Sequence, residues 1–174
     1  MNTQDLADEI VSSIQFAVDA HIRNPNSDSD SVRFWDMSTP YIVHPAWCAM
    51  TILTECNLPE EVRLSGYKAL IWHDVLEDTK LTPPKETSSE VLHFINEMTF
   101  TSFSSEQEEV WGKAPVVRLF KLYDKVSNLL DGDWMKTEKW NSYVDFTRKL
   151  ISDVELNYGP LNIVIIGKAV CEKR

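Results

Sequence analysis

The chain lacks the features that mark most specialised protein classes. Lysine and arginine number 17 against 27 aspartates and glutamates, a formal net charge of -10 over 174 residues. No basic run stands out, which argues against a nucleic-acid polymer as partner, because phosphate backbones demand clustered cations. Long apolar runs are missing as well. A stretch such as Ile163-Val164-Ile165-Ile166 falls far short of the roughly 20 residues of a membrane span. The opening residues 1–9 show neither the cationic start nor the apolar centre of a secretory signal. The three cysteines, Cys48, Cys56 and Cys171, make neither an even disulfide framework nor a close-spaced metal pair. Cys48 and Cys56 are expected as small buried thiols of one helix. These absences together predict a cytoplasmic protein that avoids membranes.

What is present is ordinary globular composition, 43% hydrophobic and 25% charged, which excludes global disorder. The length predicts one domain over residues 1–174 with a core that needs no staples. Only five glycines punctuate the chain, and apolar residues recur mostly at helical spacing. Leu6, Ile10, Ile14, Ala17 and His21 step round one face, predicting a helix over 3–22. Residues 23–40 read as a polar loop that carries the odd group Arg33-Phe34-Trp35. Pro45 suits the first position of a helix reaching about Cys56. Pro59 opens the next, in which Val62, Gly66, Ala69, Leu70 and His73 continue the step to about Asp78. Short helices are expected over 89–98 and 105–111, and a stronger one from Pro115 to Gly132. A long helix follows over 134–157. The β-branched run within 161–171 has no partner strand and is assigned to a helix. No repeat and no interior linker interrupts the pattern, so the expectation is one all-α bundle.

The chemistry concentrates around few histidines, of which there are four. His21 is expected in the core, and His93 carries no functional signal. His73-Asp74 ends an otherwise apolar helix, and Glu77 and Asp78 follow four residues after each. Burying so many carboxylates uncompensated would cost several kcal/mol per charge. A bound divalent cation compensates that cost, whereas the plainer alternative is a solvated helix end. A carboxylate at a helix C-terminus also opposes the macrodipole. Asp124 sits inside an amphipathic helix despite poor propensity, with Asn128 one turn later. It reads either as a salt-bridge partner or as a ligand from a second helix, with His44 a fourth.

Three blocks now stand in order: Pro40-Tyr41-Ile42-Val43-His44-Pro45, His73-Asp74-Val75-Leu76-Glu77-Asp78-Thr79 and Lys121-Leu122-Tyr123-Asp124-Lys125-Val126-Ser127-Asn128-Leu129. Over residues 1–157 the chain resembles the HD-superfamily hydrolases, and more narrowly the RelA/SpoT-type alarmone hydrolases with their small hydrolase-only relatives. The resemblance implies an all-helical HD domain with one divalent metal, usually Mn2+, held by His44, His73, Asp74 and Asp124. It implies that Glu77 and Asp78 position and activate water, and that Asn128 contacts the nucleotide. It also implies that an arginine, for which Arg33 is nearest, packs on the base. Ser38-Thr39 replaces the family's glycine before Pro-Tyr, Trp35 stands near the expected arginine, and Met98-Thr99-Phe100 replaces Val-Thr-Lys. These departures touch nucleotide recognition rather than the metal set.

The expected function is therefore release of the 3′-pyrophosphate from ppGpp or pppGpp by water. The imidazole and carboxylate set suits Mn2+, Co2+, Fe2+ or Zn2+ rather than Ca2+. Arg33, Lys125 and Lys80 are the expected cationic contacts. One alternative is an HD phosphohydrolase of deoxynucleoside triphosphates or monophosphates, with Trp35 near the sugar. Another is a non-catalytic nucleotide-binding HD module. Six Trp and seven Phe suit either a core or an interface, which leaves the oligomeric state open.

Overall fold

Helical spacing dominates the sequence, and the computed structural model, which describes residues 3–173, is helical throughout. Among those residues the only extended pairings are two isolated bridges, Pro25 with Thr79 and Val32 with Pro40. Helix α1 (Thr3–Val18) runs into a single π turn, Asp19–Arg23, that carries His21. The following loop contains one 3-10 turn, Asp28–Ser31, and leads to α2 (Val43–Leu53). Then come α3 (Glu60–Trp72), the one-turn α4 (Val75–Asp78), α5 (Ser89–Met98) and α6 (Phe103–Glu109). The last three are α7 (Pro115–Leu130), α8 (Thr137–Tyr158) and α9 (Asn162–Cys171).

Three local expectations need correction. Pro45 is the third helical residue and not the first. It fits there because the first four amides of a helix have no intrahelical partner. Cys56 lies beyond the end of α2 and is exposed, so of this pair only Cys48 is a buried helical thiol. The helix expected to run unbroken to Asp78 stops at Trp72. Asp74 takes φ −92° and ψ −1°, the bridge conformation common at turns and functional sites. The break re-aims α4 while the amide of Asp78 still donates to the Asp74 carbonyl at 2.8 Å.

Helix α7 is the hub, packing on α2, α5, α8 and α9. Its apolar side, with Leu119, Tyr123 and Val126, is fully buried. Its polar side, with Lys121, Asp124, Lys125 and Ser127, is buried too. Close approach of α3 depends on Gly66, where a Cβ would fall 2.5 Å from Ile52 Cδ1 and 2.7 Å from Phe120 Cε1. The β-branched run of α9 is helical because Ile163, Val164 and Gly167 bury against the bundle.

One carboxylate ties these pieces together. Glu55, 1% exposed, follows α2 and accepts hydrogen bonds from the Tyr123 hydroxyl at 3.0 Å and the amides of Asn162 and Ile163 at 2.9 and 2.8 Å. It thus caps the N-terminus of α9 and pins α7 beside α2. Glu55→Ala would leave three donors without their acceptor, each costing on the order of 1–3 kcal/mol. Denaturant unfolding should show a stability loss of about 3–5 kcal/mol; a loss below about 0.5 kcal/mol would show that this tie is dispensable.

Candidate metal centre

The four site residues are delivered by three pieces of backbone. His44 enters from the first turn of α2, His73 and Asp74 from the break after α3, and Asp124 from the middle of α7. His44 Nε2 lies 3.4 Å from Asp74 Oδ2 and 3.5 Å from Asp124 Oδ1. His73 Nε2 lies 3.1 and 4.0 Å from the same two oxygens. The imidazoles are 2% and 1% exposed. Ligand atoms of His44, His73 and Asp124 all fall within 4.8 Å of one another, a spacing that could hold a metal ion.

The surroundings orient these ligands. His73 Nδ1 is 2.7 Å from the Leu70 carbonyl, to which it can only donate, so Nε2 keeps its lone pair in the neutral ring. That Nε2 is buried and has no hydrogen-bond partner. His44 Nδ1 sits 2.8 Å from Ser127 Oγ, and a cation at Nε2 leaves the proton on Nδ1 to bond that hydroxyl. Tyr41 donates its hydroxyl to Asp74 Oδ2 at 2.7 Å, and Asn128 donates its amide to Asp124 Oδ1 at 2.6 Å. The donor set fits a borderline divalent cation, and the orphaned nitrogen is the atom such an ion would engage.

The charges are coupled to these contacts. Burial works against an ionised Asp74, but the charge of His73 and the close nitrogens of both imidazoles outweigh it and hold the carboxyl well below its usual range. Asp124 is held down likewise, burial being overcome by Lys121, then Lys125. His73 loses to burial but gains more from Asp74 and Asp124, and rises to about 9.

Lys121 Nζ is 2.6 Å from Asp124 Oδ2 and 3.0 Å from Glu106 Oε1. Lys125 Nζ is 3.2 and 2.6 Å from Asp124 Oδ2 and Glu106 Oε2. This buried quartet is neutral as a unit. It explains how α7 can bury its polar face.

The centre forms one wall of a cavity of about 290 Å³. Glu77 and Asp78 border it, and Glu77 Oε1 accepts the Phe100 amide at 3.1 Å. Removal from solvent, then the charge of Asp74, pushes both carboxyls up to about 7. Phe34, Phe100, Phe103 and Tyr143 supply rings, the last two stacked at 4.0 Å.

Of the remaining expected contacts, Lys125 and Asn128 line this cavity, whereas Arg33, Trp35 and Lys80 do not. Trp35 borders other depressions, with Leu130 and Asp131. His21 is in the core as expected, stacked on Tyr41 at 4.9 Å, with both ring nitrogens unpaired. Burial lowers it to about 4, so the ring is neutral at pH 7. Sequence reasoning passed over Tyr41, Lys121, Ser127 and Glu106. The first three sit inside the quoted blocks, Lys121 and Ser127 three residues either side of Asp124, while nothing local marks Glu106.

No family model and no curated protein matches the chain. Among solved structures it superposes on a metazoan orthologue of SpoT, described as hydrolysing ppGpp and acting in starvation responses. The TM-score is 0.68 at 19% identity, covering 92% of each chain. The fold is shared. The expected resemblance to RelA/SpoT-type hydrolases therefore stands at the level of architecture, and no helix among the described residues is long and apolar enough to cross a membrane.

A metal at this centre must displace the proton that His73 holds below pH 9. Divalent-metal binding at pH 8 should release about one proton, and affinity should rise roughly tenfold per pH unit toward 9. Calorimetry in two buffers of different ionisation enthalpy measures this; equal heats in both would contradict the assignment.

Proposed function

We propose that the chain is a single-domain, divalent-metal-dependent phosphohydrolase that removes the 3′-pyrophosphate from guanosine alarmones. The observation that carries this reading is the convergence of two oriented imidazoles with Asp74 and Asp124 at one wall of a cavity whose next wall holds two carboxyls poised near neutrality. The shared fold with a ppGpp-hydrolysing SpoT orthologue supports the alarmone as first substrate.

His44, His73, Asp74 and Asp124 would hold the ion, Mn2+ by preference, with Co2+, Fe2+ or Zn2+ chemically admissible. When bound, such an ion neutralises phosphoryl oxygens and acidifies water. The protein supplies the rest. Glu77 and Asp78, both near 7, can hold one proton between them, so one accepts the proton of the attacking water. The protonated partner hands its proton to the departing 3′ oxygen as the bond from that oxygen to phosphorus breaks. Lys121 and Lys125 hold Asp124 ionised, and Phe100, Phe103 and Tyr143 narrow the cavity against bulk solvent.

A second reading has its own support. The cavity presents six carboxylates, Asp30, Asp74, Glu77, Asp78, Glu106 and Asp124, against only Lys121 and Lys125, both already paired. That balance favours a nucleotide of lower charge, such as a deoxynucleoside monophosphate, over a polyanion.

Turnover of ppGpp and of deoxynucleotides, each with Mn2+ and Co2+, separates the two. The alarmone reading expects GDP and pyrophosphate as products, and a tenfold preference for any deoxynucleotide would contradict it. Retained metal with no turnover on the whole panel would favour a binding module instead. Asp74→Ala should abolish both turnover and metal retention while the far-ultraviolet circular dichroism stays helical. Glu77→Gln should lower kcat by about 10²–10⁴-fold with metal affinity kept. Activity should pass through a maximum where the Glu77/Asp78 pair holds a single proton, falling below it as the base is protonated and above it as the acid is lost; a flat profile from pH 5 to 9 would exclude this pair.

A further inference from the structure

Arg33 is 7% exposed, and two of its nitrogens are engaged. Its Nε and Nη2 pair with Asp131 Oδ2 and Oδ1 at 2.8 and 2.9 Å, a two-pronged grip. Nη2 also donates to Asn128 Oδ1 at 3.0 Å. The Asn128 amide cannot be reversed, because its oxygen faces a guanidinium and its nitrogen faces the Asp124 carboxylate. The same guanidinium carbon stands 5.3 Å from the centre of the Tyr41 ring, whose hydroxyl bonds Asp74.

We propose that Arg33 is a positioning residue whose guanidinium braces both aspartates of the metal centre, Asp124 through Asn128 and Asp74 through Tyr41. The inference rests on the metal-dependent reading above. Asp131 is the anchor: it fixes the fork, and the fork fixes two groups that each orient one carboxylate. Outer partners of this kind govern metal affinity, typically by 10–100-fold.

The test compares Mn2+ dissociation constants of the full chain with those of Arg33→Ala, Arg33→Lys and Asp131→Asn, together with kcat and KM on a guanosine nucleotide and on the base-free ester bis(p-nitrophenyl) phosphate. Arg33→Ala should weaken Mn2+ binding by about 10–100-fold. Arg33→Lys should recover part of it, because an ammonium still pairs with Asp131. Asp131→Asn should weaken it by about threefold or more. The loss of kcat should be alike on both substrates. Mn2+ affinity within twofold of the parent in Arg33→Ala, with KM raised on the nucleotide alone, would overturn the brace and leave the phosphohydrolase reading intact. Failure of the parent chain itself to bind Mn2+ would instead overturn that reading. If Arg33→Ala does not fold, Asp131→Asn decides by the same criterion.

Discussion

Two imidazoles and two carboxylates meet where water is largely excluded, and the rest of the architecture accommodates that meeting. Like charges at such separations repel strongly in a low-dielectric interior. The protein answers with Lys121 and Lys125 against Asp124, a bonded hydroxyl on Asp74, and fixed acceptors behind each imidazole. Helix α3 ends where it does because His73 and Asp74 must both face the same point. Helix α7 buries its polar side because that side supplies Asp124, Ser127 and the two lysines. Glu55 and Gly66 work at a distance, setting how closely α2, α3, α7 and α9 approach.

The cavity divides its labour by position. The centre offers ligands for a cation. The turn of α4 offers carboxyls whose affinity for protons is raised by burial and by Asp74. The far side offers rings. Glu106 completes the design by sharing both lysines with Asp124, which keeps the buried quartet neutral but withdraws cationic charge from an incoming phosphate. A site built this way relies on its metal, more than on its side chains, to draw an anion.

Much of this was legible in the sequence because it is local. Helical periodicity located nearly every element, since side chains that repeat with the helical turn must share a buried face. The three blocks around His44, His73 and Asp124 pointed to one centre, and their side chains do converge. What sequence could not supply is tertiary. The break between Trp72 and Val75 follows from the demand on Asp74 and not from any proline or glycine. Arg33 looked like a free cation in a loop, yet Asp131, 98 residues later, claims it. Trp35 looked like a pocket residue, but the chain turns so that its neighbour Phe34 borders the cavity instead. Glu106 is one glutamate in an acidic stretch, and only the packing of α6 beneath α7 gives it a partner.

The central claim is that a single cation belongs among these four side chains. Anomalous diffraction at the manganese edge, from crystals of the chain grown with Mn2+, tests it directly. The account predicts one peak per chain within about 2.0–2.3 Å of His44 Nε2, His73 Nε2 and oxygens of Asp74 and Asp124. A fully loaded crystal with its peak elsewhere, or with none at this place, would contradict it.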